Sequence, residues 1–381
     1  MKIVIAPDSF KESLDALAVA QAIETGFKRV LPQAQYDLIP MADGGEGTVQ
    51  SLVDGTNGSI ERVSVTGPLG ECVWASFGVS GDGEVAFIEM SAASGLHLVP
   101  LAQRNPLTTT SYGTGELIQA ALDQGVKRII LGLGGSATND AGAGMLQALG
   151  ARFLDERGQM ITWGGAALAS VARVDLSQLD ERLANTQIQV ACDVDNPLCG
   201  VHGASAVFAP QKGATPQQVM QLDHALAHFA EVVRLQLGLE IAAHAGAGAA
   251  GGMGAGLMLL PQVQMQSGVQ IVAEAVRLAE RMGDADLVIT GEGCMDGQSV
   301  HGKTPIGVAR VAKQFDKPVI ALVGSLGEGY EAVYAQGIDA VFPIIRQVGD
   351  LSMVLSQAES NLISVAENVA RMFKLAIKNP Q

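Results

Sequence analysis

Three short segments combine residue types that handle phosphate or a metal ion. PDSFKE at 7–12 groups Asp8, Ser9 and Lys11; ADGGEGT at 42–48 groups Asp43 and Glu46; GEGCMDG at 291–297 groups Glu292 and Asp296. Carboxylates hold hard cations or accept a hydroxyl proton, and a fixed lysine neutralises a phosphoryl group. Asp43 with Glu46 three residues later also fits an Asp-led helix capping box, and a capped helix start binds anions as well. A fourth segment, RIILGLGGSATNDAGAGM at 128–145, reads as strand, glycine turn and helix. Gly134 and Gly135 free backbone amides there, and Ser136 and Thr138 add hydroxyls, which together make a phosphate cradle. In ACDVDNPLCG at 191–200, Asp193, Asp195 and Asn196 follow a strand, where a carboxylate holds Mg²⁺ or takes a hydroxyl proton.

Other matches carry less. SYGTGEL at 111–117 opens a helix with similar chemistry. GAGAAGGMGAG at 246–256 contains G-x-G-x-x-G but lacks a preceding strand, so close packing or a phosphate loop fits better than dinucleotide binding. GQSVHGKT at 297–304 satisfies the Walker A pattern, yet Gly297 stands seven positions beyond the expected strand end at Thr290 and Pro305 follows the Lys-Thr pair. That spacing argues against a P-loop, although Lys303 remains a phosphate or substrate contact. His224 and His228 have i,i+4 spacing without a third ligand, which reads as a solvated helix face.

The elements that must position these loops fall into two patterns. Continuous apolar runs at 2–6, 36–40, 286–290, 318–323 and 339–345 predict parallel strands covered on both faces. A helix with Leu14, Leu17, Ile23, Phe27 and Val30 on one face follows the first run, with Ser13 as its expected N-cap; a long amphipathic helix spans about 351–377. Between the ends, IERVSV, VWASFGV and EVAFIEM alternate and are separated by GPLG and SGDG, which predicts an antiparallel meander. Further strands are expected at 128–134, 188–192 and 204–208. The reading is an α/β protein: a Rossmann-like parallel-sheet domain from 1–62 and 285–381, with an inserted mixed α/β domain at 63–284. In an open parallel sheet, ligands bind beyond the carboxyl ends of the strands, where the polar loops lie.

The whole composition narrows the function classes. At 381 residues, 48% hydrophobic and 17% charged, the chain is globular and long enough for two cores. A net charge of −15 disfavours nucleic acid and anionic membranes as partners. The N-terminus turns polar after six residues, and no stretch is apolar enough for a span. Four cysteines without paired spacing fit a reducing, cytoplasmic compartment.

Taken in order, APDSFKESL, ADGGEGT, VTGPLGE, IEMSAASGL, GTGEL, GGSATND, ACDVDNPL, PQKGAT, GAGAAGGMG and VITGEG resemble the bacterial-type glycerate kinase family over essentially the whole chain. The resemblance implies ATP and Mg²⁺ as cofactors, glycerate as substrate, phosphorylation at C2, a site in the cleft between two domains, and a part in sugar-acid catabolism. A homo-oligomer is compatible with it. On that basis Lys11, Asp193 and Asp43 are the expected catalytic residues. Asp8, Ser9, Glu46, Asp296 and Lys303 are expected to bind substrate, and Asp193 with Glu292 to hold the metal. The nucleotide is expected at Gly134, Gly135, Ser136, Thr138, Asn139 and Asp140, with Gly251 and Gly252. The family reads GEGR where this chain has Cys294, and a cysteine cannot bind an anion bidentately. The competing readings are a P-loop NTPase centred on Lys303 and a non-catalytic sugar-acid sensor.

Overall fold

The computed structural model describes residues 1–45, 47–347 and 349–378. It divides into two compact units, one of Met1–Asp43, Gln50–Asn57 and Val269–Gln381, the other of Gly44–Val49 and Gly58–Gly268.

The first unit is built on five parallel strands in the order Ala340–Pro343, Val319–Val323, Leu287–Thr290, Lys2–Ile5, Gln35–Leu38. Each contains part of an apolar run, because a strand covered on both faces must be apolar on both. Ile3 pairs with both Leu287 and Tyr36, so the first strand is central. The chain adds its second strand on one side of it and the three later strands of this sheet on the other. That reversal is a topological switch point, and it opens a crevice at the carboxyl ends of Lys2–Ile5 and Leu287–Thr290.

Helix Ala16–Lys28 covers one face of this sheet and packs on the long helix Ala358–Lys378. The crossing is close: a Cβ on Gly26 would lie 2.4 Å from the Ile363 carbonyl oxygen. Phe27, Ile23, Leu362 and Ala366 join Ile3, Ile5 and Ile289 in the core. Asp15, not Ser13, is the N-cap, since its carboxylate accepts from the Ala18 amide at 2.7 Å. Ser13 is instead taken up by the tight turn in which its amide donates to Phe10. The C-terminal helix expected as one piece is two, Leu351–Ser356 and Ala358–Lys378. The first buries no residue, whereas the second inserts Leu362, Ala366 and Ala370, so core packing begins only at Ala358.

The second unit carries a six-stranded sheet in the order Val263–Gln266, Gln187–Ala191, Arg128–Gly132, Val85–Glu89, Cys72–Val79, Ser59–Thr66. The first four are parallel, and the last three form the expected antiparallel meander. Helix Pro216–Leu237, closed by a Thr215–Gln218 capping box, sends Phe229 edge-on to Phe153 in the core. Two readings change here. Ala204–Phe208 is a helix, not a strand, because a five-residue apolar run has no period that separates the two. Val263–Gln266, half polar and at the sheet edge, is a strand that no apolar run announces. No described helix is long and apolar enough to cross a membrane.

Candidate active site

Two clusters of polar loops gather the chemistry, one in each unit. In the first, the loop after Lys2–Ile5 is tied to the loop after Leu287–Thr290 by an Asp8 amide bond to the Gly291 carbonyl at 2.9 Å. Asp8 therefore stands at the switch point. Its Oδ1 accepts from the Ser9 amide at 2.7 Å, and its Oδ2 from the Thr304 hydroxyl at 2.6 Å. Burial lifts the Asp8 carboxyl to about 6, with the hydrogen bond from Thr304 opposing and the charge of Asp43 adding to the rise. Glu292, buried beside it, accepts from the Ser299 hydroxyl at 2.6 Å and faces the Lys303 ammonium at 3.5 Å. Burial raises this carboxyl too, and Ser299 and Lys303 pull it back. Lys303 also reaches Asp296 at 3.7 Å.

Lys11 sits at the exposed tip of the first loop. Its side chain makes no hydrogen bond or ion pair among the described residues. Phe10, 3% exposed, anchors the tip on one side, and Glu12 holds it on the other with a left-handed φ of +62°. Asp43 follows the Gln35–Leu38 strand, in the segment where the Met41 amide donates to the Pro7 carbonyl. The following helix starts at Thr48, so its N-cap position is Gly47 and not Asp43; Glu46 lies outside the described residues. The Walker-like segment builds no P-loop. Lys303 is the N-cap residue of helix Thr304–Lys313 with extended backbone, and its ammonium turns to the two carboxylates. Cys294 is exposed at the start of a two-residue strand.

In the second unit, the strand Arg128–Gly132 ends in the glycine turn. Gly134 and Gly135 are exposed, Gly135 with φ +74°, and their amides have no hydrogen-bond partner among the described residues. Flanking bonds from Leu96 to the Gly135 carbonyl and from Ala137 to the Ser94 carbonyl pin the turn. Beneath it Asp140 is buried and accepts from the Ser111 amide and hydroxyl at 2.9 and 2.8 Å, and from the Gly142 and Gly144 amides. Burial raises its carboxyl, and these four donors work against that. Asn139 donates to the Ser205 hydroxyl at 3.0 Å, while its Oδ1 and the Thr138 hydroxyl are buried without a partner. Gly251 and Gly252 are buried below this segment, and a Cβ on Gly251 would lie 2.0 Å from the Thr138 carbonyl oxygen. Close packing thus requires both glycines whatever the turn binds. Asp193 is exposed after the neighbouring strand, with its Oδ1 accepting from the Gly268 amide at 3.1 Å.

One residue of this cluster is absent from the sequence reading. Lys212, 1% exposed, donates to the Ser136 hydroxyl at 2.7 Å and to the Thr138 carbonyl at 2.6 Å. Burial pulls its ammonium down to about 7, against the opposing charge of Asp140. Its segment, PQKGAT, is legible only as part of the family resemblance, because nothing in Pro-Gln-Lys-Gly announces a buried cation. Nor does the sequence mark Thr304, which reaches Asp8 across 296 positions of sequence.

The Asp8 geometry gives a pH prediction. The folded carboxyl takes its proton near 6 and the ordinary one near 3.8, so the folded state binds more protons between those values. This group's stabilising contribution is therefore present below the lower value and is lost as pH rises through the upper. Asp8→Asn should raise the melting temperature over the parent at about pH 7.5 and show no such gain near about pH 4. A difference in melting temperature that stays flat across this range refutes the assignment.

Comparison with known proteins supplies what geometry alone does not. A model of the Glycerate kinase family matches residues 3–374. A glycerate kinase of Haemophilus influenzae is 64% identical over 372 residues, covering 98% of each chain. A glycerate 2-kinase of Escherichia coli is 53% identical over 379 residues, covering 100% of each. The crystal structure of a protein described as "putative glycerate kinase 2", from Salmonella typhimurium LT2, superposes with a TM-score of 0.93 at 54% identity, again covering 100% of both chains.

Proposed function

The chain belongs to the glycerate kinase family, and on that premise we propose that it transfers the γ-phosphoryl group of ATP to the C2 hydroxyl of glycerate, giving 2-phosphoglycerate and ADP. The C2 assignment rests on one observation, the full-length similarity to the Escherichia coli relative whose name is glycerate 2-kinase. Four free cysteines and an ATP-dependent reaction fit a cytoplasmic location.

In this reaction the acceptor oxygen bonds to the γ-phosphorus as the bond from that phosphorus to the bridging oxygen breaks. ADP leaves with the electron pair, and the hydroxyl proton passes to a carboxylate. Positioning and charge neutralisation supply most of the rate, because phosphoryl transfer asks little covalent chemistry of the protein. We assign Lys11 to the transferring phosphoryl group and Asp193 and Asp43 to the acceptor hydroxyl. Gly134, Gly135 and Ser136 serve the nucleotide phosphates; Asp8, Ser9, Asp296 and Lys303 serve glycerate, as does Glu46 on its sequence position alone.

Mg²⁺ bound with ATP needs only one or two protein carboxylates, since phosphate oxygens and waters fill the remaining positions. Asp193 fits that need as an exposed hard-oxygen donor held in place by the Gly268 amide. Glu292 fits less well, because Ser299 and Lys303 already engage its two oxygens. When bound, the ion neutralises charge on the β- and γ-phosphates.

The decisive experiment measures ATP consumption with and without glycerate and identifies the product by NMR. Stoichiometric 2-phosphoglycerate is the expected result. A 3-phosphoglycerate product removes the C2 assignment and leaves the kinase. Acceptor-independent hydrolysis favours an NTPase, and glycerate binding without turnover favours a sensor.

A further inference from the structure

Lys212 is the most deeply buried cation of the second unit, and it lies directly under the glycine turn. It makes no salt bridge within 4 Å among the described residues, and Asp140 spends its oxygens on Ser111 and two glycine amides. A buried ammonium is costly, and a neutral donor would serve equally well to pin a loop. Asp140 opposes this charge only from beyond salt-bridge distance, which leaves the ammonium open to a closer negative partner. Direction adds to this. An ammonium only donates, so the Ser136 oxygen must accept from Lys212, and the Ser136 hydroxyl hydrogen is left to donate elsewhere. It belongs to the turn in which the Gly134 and Gly135 amides are exposed and without partners among the described residues.

We propose that Lys212 is a positioning residue for the nucleotide's polyphosphate: it fixes the Ser136 hydroxyl as a donor to a phosphate oxygen and supplies buried positive charge behind the glycine turn. This deepens the kinase reading and rests on it for the identity of the anion, not for the existence of the anion site.

The test compares Ser136→Ala, Lys212→Met and the double variant with the parent. It reads ATP and glycerate KM values, and binding of inorganic tripolyphosphate by calorimetry. A lost hydrogen bond to a charged group should weaken ATP and tripolyphosphate binding about tenfold to a hundredfold in Ser136→Ala, with glycerate KM within about threefold of the parent. Lys212→Met should act in the same direction. The double variant should be no worse than the weaker single, because both remove one hydrogen-bonded unit. If Lys212→Met does not fold, Ser136→Ala decides alone. The proposal is overturned if Ser136→Ala leaves tripolyphosphate binding within about threefold of the parent, if the single effects multiply, or if only glycerate KM moves. A parent that binds tripolyphosphate through Ser136 yet forms no phosphoglycerate keeps this inference and removes the kinase reading. Glycerate phosphorylation by a Ser136→Ala variant with unchanged ATP KM does the reverse.

Discussion

Replacing Lys11 with Ala should lower turnover about a hundredfold to a thousandfold, some 2.7–4 kcal/mol of transition-state stabilisation, while the fold survives. The motivation is placement. The loop leaves the central strand at the switch point, a buried Phe10 fixes it, and Glu12 holds a left-handed backbone. Such a backbone costs about 1–3 kcal/mol and persists where the surroundings enforce it. It presents an ammonium that no described carboxylate neutralises. An exposed side chain of this kind contributes within about 0.5 kcal/mol to stability, so melting should hardly change. Lys303→Ala should cost much less in turnover, because that ammonium already faces Glu292 and Asp296. Steady-state kinetics with a thermal-melt control measure both. A Lys11→Ala enzyme within about threefold of the parent would mean the lysine is merely solvated.

Asp193→Asn should cost about 10²–10⁴ in turnover, the range for a lost general base or a lost carboxylate at the phosphoryl centre. Asparagine keeps an oxygen able to accept from the Gly268 amide, so the loop should hold its position while the negative charge disappears. Varying Mg²⁺ in the assay separates the two duties of this carboxylate. A variant rescued by excess Mg²⁺ assigns it to the metal, and one unmoved by Mg²⁺ assigns it to the acceptor proton. Asp195→Asn provides the control on the same loop. Equal losses in the two variants would mean that general loop charge, and not Asp193, matters.

The candidate residues that follow strands could be placed from the sequence because a parallel sheet delivers its loops to one edge, and Val- and Ile-rich runs mark where that edge falls. Asp8, Lys11, Glu292, the Gly134–Asp140 turn and Asp193 all come after such runs. Where burial was partial, the signal failed. Val263–Gln266 is half polar and pairs at the sheet edge, and Ala204–Phe208 is too short to show a period. Capping also misled: Ser13 and Asp15 are both good N-caps, and only the Phe10–Leu14 turn decides that Asp15 takes the helix start.

By itself the sequence determined the parallel-sheet core, the meander, which polar loops follow strands and the failure of the Walker match, since all of these depend on local pattern and spacing. Tertiary structure alone decided which side chains are buried together. Thr304 bonds to Asp8 from far along the chain, and Lys212 lies beneath a turn whose serine stands 76 positions earlier. A lysine or threonine reads the same in a string whether water or protein surrounds it. Burial is what strips away water and shifts the ionisation of Asp8 and Lys212.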